Sequence, residues 1–477
     1  MADARDRQPG AGASGMGRTR HVHFVGIGGI GMSGIAEVLT NLGYVVSGSD
    51  VQSSAQTERL IALGAAVSIG HDARYVHGAD VVVVSSAVDR DNPEVREARR
   101  RHVPVIPRAE MLAELMRLRF GIAVAGAHGK TTTSSMIAWL LSEAGLDPTA
   151  VIGGRLRAFG SNARLGDSRY MVAEADESDR SFLQLTPAVA VVTNIDREHM
   201  EAYGSFQRLV DAFVDFANRV PFYGAVIACL DDPVIEAMLP RLDRRVVTYG
   251  FADGADVAGT HATSDGVSAS CRVRVSGADG DQTIDLTIPL PGRHNLQNAL
   301  AALAVGVELG VPLDEAGRAL SGFTGTERRY ERCGEARGVT VVDDYGHHPT
   351  EVAAVLTTAR EGVPDRLVAV FQPHRYSRTR DLLDDFAPAL ALADVVVLTD
   401  IYPAGEPALP GVTLEALAAS IRPAVEVLHV VPDVTDVAAA VARLVRPGDL
   451  VVTLGAGSIG AVGPEILAAL SAEQVRS

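Results

Sequence analysis

The chain keeps returning to one unit: an unbroken run of Val, Ile or Ala, a Gly-rich or polar turn, then a helical pattern. Such runs occur at 21–25, 81–84, 122–125, 189–192, 339–342, 367–371, 395–398 and 450–454. A strand with one wet face alternates apolar and polar side chains, whereas an unbroken apolar run suits a strand covered on both faces. Strands alternating with helices argue for parallel crossovers. The expected fold class is therefore α/β, built from doubly wound parallel sheets. In such sheets ligands bind beyond the carboxyl ends of the strands, and the polar clusters of this sequence fall at those ends.

At 477 residues the chain is long enough for two to four domains, at roughly 100–200 residues each. Three sections emerge. Residues 21–119 read as a first α/β unit. Residues 120–326 form a larger unit with β-rich decoration at 251–290, and residues 327–477 form the third. Residues 1–20 are rich in Gly, Ala, Arg and Asp, lack an apolar core segment, and read as a disordered tail rather than a signal peptide. No apolar run reaches the roughly 18 residues of a membrane helix. A net charge of −16 argues against nucleic-acid or anionic-membrane partners in general. Cys229, Cys271 and Cys333 lie far apart without CxxC spacing, so neither a disulfide framework nor a zinc signature is present, and a reducing cytoplasm fits.

Two Gly-rich turns follow strands. The first, Gly26-Ile27-Gly28-Gly29-Ile30-Gly31, suits close backbone approach to a diphosphate at a helix N-terminus. Asp50 ends the next strand, where a ribose-binding acid is expected. A nicotinamide dinucleotide and a UDP-sugar fit this motif equally. The second, Gly126-Ala127-His128-Gly129-Lys130-Thr131-Thr132, has backbone N–H groups to cradle phosphates, a Lys for the terminal phosphates and a hydroxyl for Mg2+. It departs from GxxxxGK[ST] in having Val124 at the first Gly position. Lys130 is the only lysine in the chain, every other Lys/Arg position being Arg. Genome composition accounts for the bias. Its one exception falls where a compact ammonium is needed and a guanidinium is a poor substitute.

Five further clusters carry chemistry. Glu174-Ala175-Asp176-Glu177-Ser178-Asp179 follows a strand at 170–173 and suits a hard cation, or equally a solvated acidic loop. Asn194-Ile195-Asp196-Arg197-Glu198-His199 adds a His beside these acids, a metal ligand or a helix-start residue. In Gly292-Arg293-His294-Asn295-Leu296-Gln297-Asn298, the two Asn lie three apart on one helix face. They either read adenine through an amide or cap and line the helix. Asp343-Asp344-Tyr345-Gly346-His347-His348-Pro349-Thr350-Glu351 and Gln372-Pro373-His374-Arg375-Tyr376-Ser377-Arg378-Thr379 each follow a strand and suit an anion or carboxylate clamp.

Taken together, the motifs resemble the Mur ligases of peptidoglycan synthesis. GxGGxGMSG at 26–34, HGKTTT at 128–133, EADESD at 174–179, NxDxxHM at 194–200, HNxxNA at 294–299, DDYGHHPTE at 343–351 and QPHRYSRT at 372–379 occur in family order. Ala127 replaces a common Thr, and Arg197-Glu198 vary the NIDxDHM pattern. The resemblance implies three domains: a Rossmann-like UDP-sugar domain, a central P-loop ATPase domain with a small β-rich part, and a Rossmann-like C-terminal domain that closes over the site. It implies a cytoplasmic ligase, monomeric or homodimeric, that joins L-alanine to the carboxylate of UDP-N-acetylmuramate using ATP and Mg2+.

By the same resemblance, Gly126 to Thr132 bind ATP, with Lys130 on the β/γ-phosphates, and Asn295, Arg329 and Asp344 meet adenine, phosphate and ribose. Thr131, Glu174 and His199 hold metal. Gly26, Gly28, Gly29, Gly31 and Asp50 bind the UDP-sugar. His347, with His374, Arg375 and Arg378, meets alanine and the muramoyl group. Lys130, Glu174, His199 and His347 are the implied catalytic set. Several later-acting family members need a carbamylated Lys, and this chain has no second lysine to modify.

Overall fold

The computed structural model describes residues 15–474 except 86, 278, 279, 363 and 364, with no side-chain description for 30, 473 and 474. The expected tail at 1–14 lies outside the described residues. At 15–20 the chain is bonded to its surroundings: Met16 N–H donates to Tyr44 Oη at 2.9 Å and Arg20 N–H to Asp80 at 2.7 Å.

Among the described residues, three sheets carry the fold. The first contains β1 (His21–Val25), β2 (Val45–Asp50), β3 (Ala66–Ile69), β4 (Val81–Val84) and β5 (Val105–Pro107), in the order β3-β2-β1-β4-β5 and parallel throughout. The second contains β6 (Phe120–Ala125), β7 (Thr149–Leu156), β8 (Ser161–Arg164), β9 (Tyr170–Glu174), β10 (Val189–Val192), β11 (Ala225–Cys229), β12 (Val246–Gly250), β13 (Val257–Ser264), β14 (Ala269–Val275) and β15 (Gln282–Ile288). Its order is β15-β14-β13-β12-β11-β10-β6-β9-β7-β8. The third contains β16 (Glu331–Ala336), β17 (Val339–Asp344), β18 (Arg366–Phe371), β19 (Val395–Leu398), β20 (Val427–Val430) and β21 (Asp449–Leu454), ordered β16-β17-β21-β18-β19-β20. It is mixed, because β16 runs antiparallel to β17.

By contact density the chain forms two compact units. One is Met1–Gly259, Val273–Ile284 and Gln297–Phe323; the other is Thr260–Arg272, Asp285–Leu296 and Thr324–Ser477. The first sheet and strands β6 to β12 of the second thus share one unit, whereas β13, β14 and β15 are each divided between the two, and each unit is described by itself below.

The apolar runs are strands covered on both faces. In the third sheet Val342, Leu450, Val452 and Leu454 join one apolar cluster with Val352 and Leu356 of the helix Pro349–Gly362. Their neighbours Val341 and Val451 join another, with Val437 and Val441 of the helix Val434–Leu444. Each fully buried side chain of this size contributes roughly 1.5–3 kcal/mol. Strands end where the chemistry begins. β9 runs one residue past its apolar run to Glu174, and β17 runs two past, to Asp343 and Asp344. Acids can extend these strands because they are bonded: Asp343 accepts from Thr453 Oγ1 at 2.7 Å and Arg328 Nε at 2.8 Å.

Candidate active site

The turn after β6 leads into the helix Lys130–Glu143, whose N-cap, Gly129, makes no side-chain cap bond. The opening N–H groups of such a helix, with its dipole, suit a phosphate. Two glycines let the loop sit this close to its neighbours. Gly126 has φ +142°, and a Cβ there would lie 2.0 Å from Thr193 Oγ1; Gly129 has φ +80°, and its Cβ would lie 2.6 Å from Asn298 Oδ1. The segment after β10 clamps the loop. Ala127 N–H donates to Asn194 O at 3.1 Å and His128 N–H to Asn194 Oδ1 at 2.7 Å. Thr193 Oγ1 and Asn194 Nδ2 donate to His128 O at 2.6 and 3.0 Å. Thr131 and Thr132 are buried beside it.

Lys130 Nζ donates to Gly126 O at 2.5 Å, to Ala127 O at 3.2 Å and to Glu177 Oε1 at 2.9 Å, and it lies 2.9 Å from Glu177 Oε2. Burial works against its charge, but Glu177 and Asp176 outweigh that and raise the ammonium above its ordinary range. Burial pushes the Glu177 carboxyl upward, with Lys130 opposing. Tyr203 Oη fixes the Glu177 backbone by donating to its carbonyl at 2.6 Å.

Oxygen and imidazole donors surround the loop. Glu174 at the end of β9 has Oε1 at 3.4 Å from Ser134 Oγ. A Cβ at Gly153 would lie 2.4 Å from Glu174 Oε2, so glycine makes room for that carboxylate. His199 opens a short helix in the left-handed conformation, φ 55°. Its Nε2 lies 3.9 Å from Glu177 Oε1 and 3.7 Å from Glu198 Oε2. A hydroxyl, carboxylates and an imidazole fit Mg2+ or Mn2+.

In the first sheet, Gly26 and Ile27 N–H both donate to Ser49 O, at 2.8 and 2.9 Å. Asp50 Oδ2 accepts from Gly28 N–H at 2.8 Å, so this acid braces the Gly-rich turn. Gly29 caps the helix Ile30–Asn41 without a side-chain bond. Where a Cβ of Gly31 would stand, Arg108 Nη1 is 2.5 Å away. Arg108 also reaches Asp176 at 3.3 Å, placing a cation between the Gly-rich turn and the acidic cluster.

The second unit gathers the remaining residues. Asp344 accepts from Gly346 N–H and Tyr330 N–H, both at 2.7 Å, and burial pushes its carboxyl up to about 6. The Arg329 guanidinium lies 5.1 Å from the Tyr345 ring centre. His347 packs edge-on to His374 at 5.3 Å, His374 stacks on Tyr402 at 5.6 Å, and Arg378 Nη1 lies 3.2 Å from His374 Nδ1. Arg375 has φ 71°, and its Nε is buried without a hydrogen-bond partner. Asn295 Nδ2 donates to Pro291 O at 2.7 Å; Asn298, which belongs to the first unit, accepts from Thr133 Oγ1 at 3.0 Å. The helix Arg293–Glu308 begins in the second unit and continues in the first.

Within the first unit, then, the phosphate loop and Lys130 meet Glu177, which neighbours His199, while Glu174 approaches Ser134 on the helix that the loop opens; within the second, Arg329 packs on Tyr345 beside Asp344, and His347 lies with His374 and Arg378. Sequence reasoning gave no individual role to Glu177, the anion facing Lys130, and passed over Arg108. Glu177 stood inside a motif without any feature to single it out from Asp176 or Asp179. The only trace of Arg108 was its position just after β5.

Fold and site together define an α/β protein built around a phosphate-type loop. The Mur ligase family matches in three segments: its catalytic domain at 21–120, its middle domain at 124–306 and its glutamate ligase domain at 328–457. The chain belongs to the Mur ligase family. It is 56% identical over 458 residues to UDP-N-acetylmuramate–L-alanine ligase of Anaeromyxobacter sp. strain Fw109-5, covering 95% of this chain and 99% of that one. It is 52% identical over 463 residues to the ligase of the same name from Geobacter sp. strain M21, covering 96% and 99%. Among solved structures it is similar to UDP-N-acetylmuramate-alanine ligase of Thermotoga maritima, with TM-score 0.80, 28% identity and coverage of 96% and 100%. A murein peptide ligase of Psychrobacter arcticus gives 0.71, 26%, and 94% and 98%.

Proposed function

We propose that this enzyme joins L-alanine to the carboxylate of UDP-N-acetylmuramate, with ATP giving ADP and phosphate. The observation that carries this reading is the 56% identity to an L-alanine-adding relative across 95% of the chain. The phosphate loop and Lys130 explain the need for ATP. Oxide is a poor leaving group, so a carboxylate must first take the γ-phosphoryl group as an acyl phosphate. The amine of L-alanine then attacks that carbonyl, and phosphate leaves. Carboxylate and triphosphate repel each other, so positioned cations must bring them together.

Lys130 binds the β/γ-phosphates, and the N–H groups of Gly126 to Thr132 orient them. Arg108 and the Gly-rich turn take the diphosphate of the UDP-sugar. Asn295, Arg329 and Asp344 serve adenine, phosphate and ribose, and His347, His374, Arg375 and Arg378 meet alanine and the muramoyl group. Thr131, Glu174 and His199 hold Mg2+, which when bound neutralises phosphate charge. We retain the boundaries 21–119, 120–326 and 327–477 for the three domains, and place the enzyme in the cytoplasm as a monomer or homodimer without nucleic-acid or membrane partners. Among the described residues, no helix is long and apolar enough to cross a membrane.

Phosphate release with UDP-N-acetylmuramate and ATP tests the reading, comparing L-alanine, glycine, L-serine and a stem tripeptide. Release should depend on L-alanine. Release independent of any amino acid, or supported only by tripeptide, overturns it.

A further inference from the structure

We propose that Glu406, on the loop that follows β19, is a positioning residue for the cationic segment 374–378, and that through Ser377 it sets how tightly the enzyme holds a substrate carboxylate. The inference rests on the reading above, in which His374, Arg375 and Arg378 meet alanine and the muramoyl group, and it deepens that reading. The segment leaves β18 and turns into the six-residue helix Tyr376–Asp381. Arg375, at its N-cap, has φ 71° and ψ 140° and offers the helix no side-chain cap. The cap comes from Glu406 instead. Ser377 N–H donates to Glu406 Oε2 at 3.0 Å, and Ser377 Oγ donates to Glu406 Oε1 at 2.6 Å. A carboxylate placed there satisfies a first-turn donor and faces the positive end of the helix dipole.

The same loop grips the segment upstream of Ser377. Arg375 N–H donates to Tyr402 O and Tyr402 N–H to Pro373 O, both at 2.8 Å, and the Tyr402 ring stacks on His374 with 10° between the planes. Ala404 and Gly405 follow with φ 48° and 85°, turning the chain so that Glu406 comes back over Ser377. A non-glycine residue keeps such a conformation only where its surroundings fix it. Burial works against the Glu406 charge, but the Ser377 bonds and the Arg375 guanidinium outweigh it and hold the carboxyl below its ordinary range. Arg378 is the next residue but none on this helix, and its Nη1 lies 3.2 Å from His374 Nδ1 and 3.4 Å from His374 O. The first turn of the helix therefore decides where both cationic side chains stand. Arginine takes a carboxylate through two parallel N–H bonds in a fixed fork, so a small rotation of the helix forfeits one of them. Glu406 cannot itself receive a carboxylate, because like charges repel, so it acts through Ser377 and not by contact.

The test is steady-state phosphate release by the full-length enzyme, with UDP-N-acetylmuramate, L-alanine and ATP varied one at a time. E406A should raise the KM for L-alanine or for UDP-N-acetylmuramate about 10-fold or more, whichever carboxylate the segment holds, with kcat and the KM for ATP within about 2-fold of wild type. E406Q should stay within about 3-fold, because its amide can accept from the Ser377 N–H and donate to Ser377 Oγ. S377A should raise the same KM as E406A, and the double variant E406A/S377A should be no worse than E406A. Unchanged KM for both carboxylate substrates in E406A and S377A, a loss confined to kcat, or E406Q as impaired as E406A overturns the proposal. Hydrogen exchange read by mass spectrometry follows the bond without any substrate. The Ser377 amide should exchange about 10-fold faster in E406A and near the wild-type rate in E406Q; equal protection in all three overturns the positioning. Far-UV circular dichroism checks the fold of each variant, and S377A carries the test if E406A fails to fold. A wild-type chain that releases no phosphate with L-alanine would sink the ligase reading, whereas the exchange measurement decides the role of Glu406 independently of it.

Discussion

Replacing Lys130 with Met removes an ammonium whose side chain is 18% exposed from a carboxylate that is 2% exposed. Removing one member of a buried pair costs about 3–5 kcal/mol when the other stays charged. Protonation caps that cost. With an ordinary Glu value near 4.3, neutralising Glu177 at pH 7.5 costs about 4 kcal/mol, at about 1.4 kcal/mol per unit. K130M should therefore lose about 3–4 kcal/mol at that pH. Its Glu177, raised further without the lysine, is neutral below its folded-state value, so the deficit should shrink as pH falls toward 5 and grow as pH rises. The double variant K130M/E177Q carries neither charge and should recover most of the loss.

The assay is built into the chain. Trp139 is the sole tryptophan; it lies on the helix Lys130–Glu143 and its Nε1 donates to Ala319 O at 2.7 Å. Its fluorescence during urea unfolding reports on the unit that holds the pair, which matters because a chain of this size need not unfold in one step. With a slope of about 2–3 kcal/mol/M, 3 kcal/mol moves the midpoint by about 1–1.5 M. Single and double variants whose effects add within about 0.5 kcal/mol would refute the coupling.

Three further outcomes are expected. Gly126→Ala places a Cβ 2.0 Å from Thr193 Oγ1 at φ +142°, so ATP affinity by calorimetry should fall at least 10-fold; unchanged affinity would mean the loop tolerates the shift. Asp50→Asn keeps an acceptor for Gly28 N–H and should alter the KM for UDP-N-acetylmuramate less than about 3-fold, while Asp50→Ala frees the turn and should raise it at least 10-fold; equal effects would reject the bracing role. Burial lowers His294 to about 4. The unfolded chain therefore takes its proton first, so stability should fall as pH drops from about 6.5 to 4, by up to about 3 kcal/mol, and H294Q should flatten that stretch of the pH–stability curve.

Local pattern determined a good deal. The unbroken apolar runs settled that the strands are covered on both faces, and strands at 21–25, 81–84, 189–192 and 395–398 have the bounds their runs suggested. Glycine placement located both phosphate-type turns, because positive φ and close approach leave few alternatives. The lone lysine marked where a compact cation is needed. Tertiary structure decided the partners. Asp50 reads in sequence as an acid poised for ribose, and the fold adds a partner for it, Gly28 N–H, because β1 and β2 lie side by side. Asn298 reads in sequence either as a base reader or as a residue lining the helix, and in the fold its side-chain carbonyl accepts from Thr133, 165 positions earlier.

Glu177 and Lys130 are 47 residues apart, on segments brought together by the pairing of β6 with β9. Which of four clustered acids faces the lysine depends on how the chain turns after β9. No periodicity records that. Hydrophobic patterning is a property of each segment by itself and survives in the sequence, whereas an ion pair is a property of two segments and exists only once the sheet has placed them.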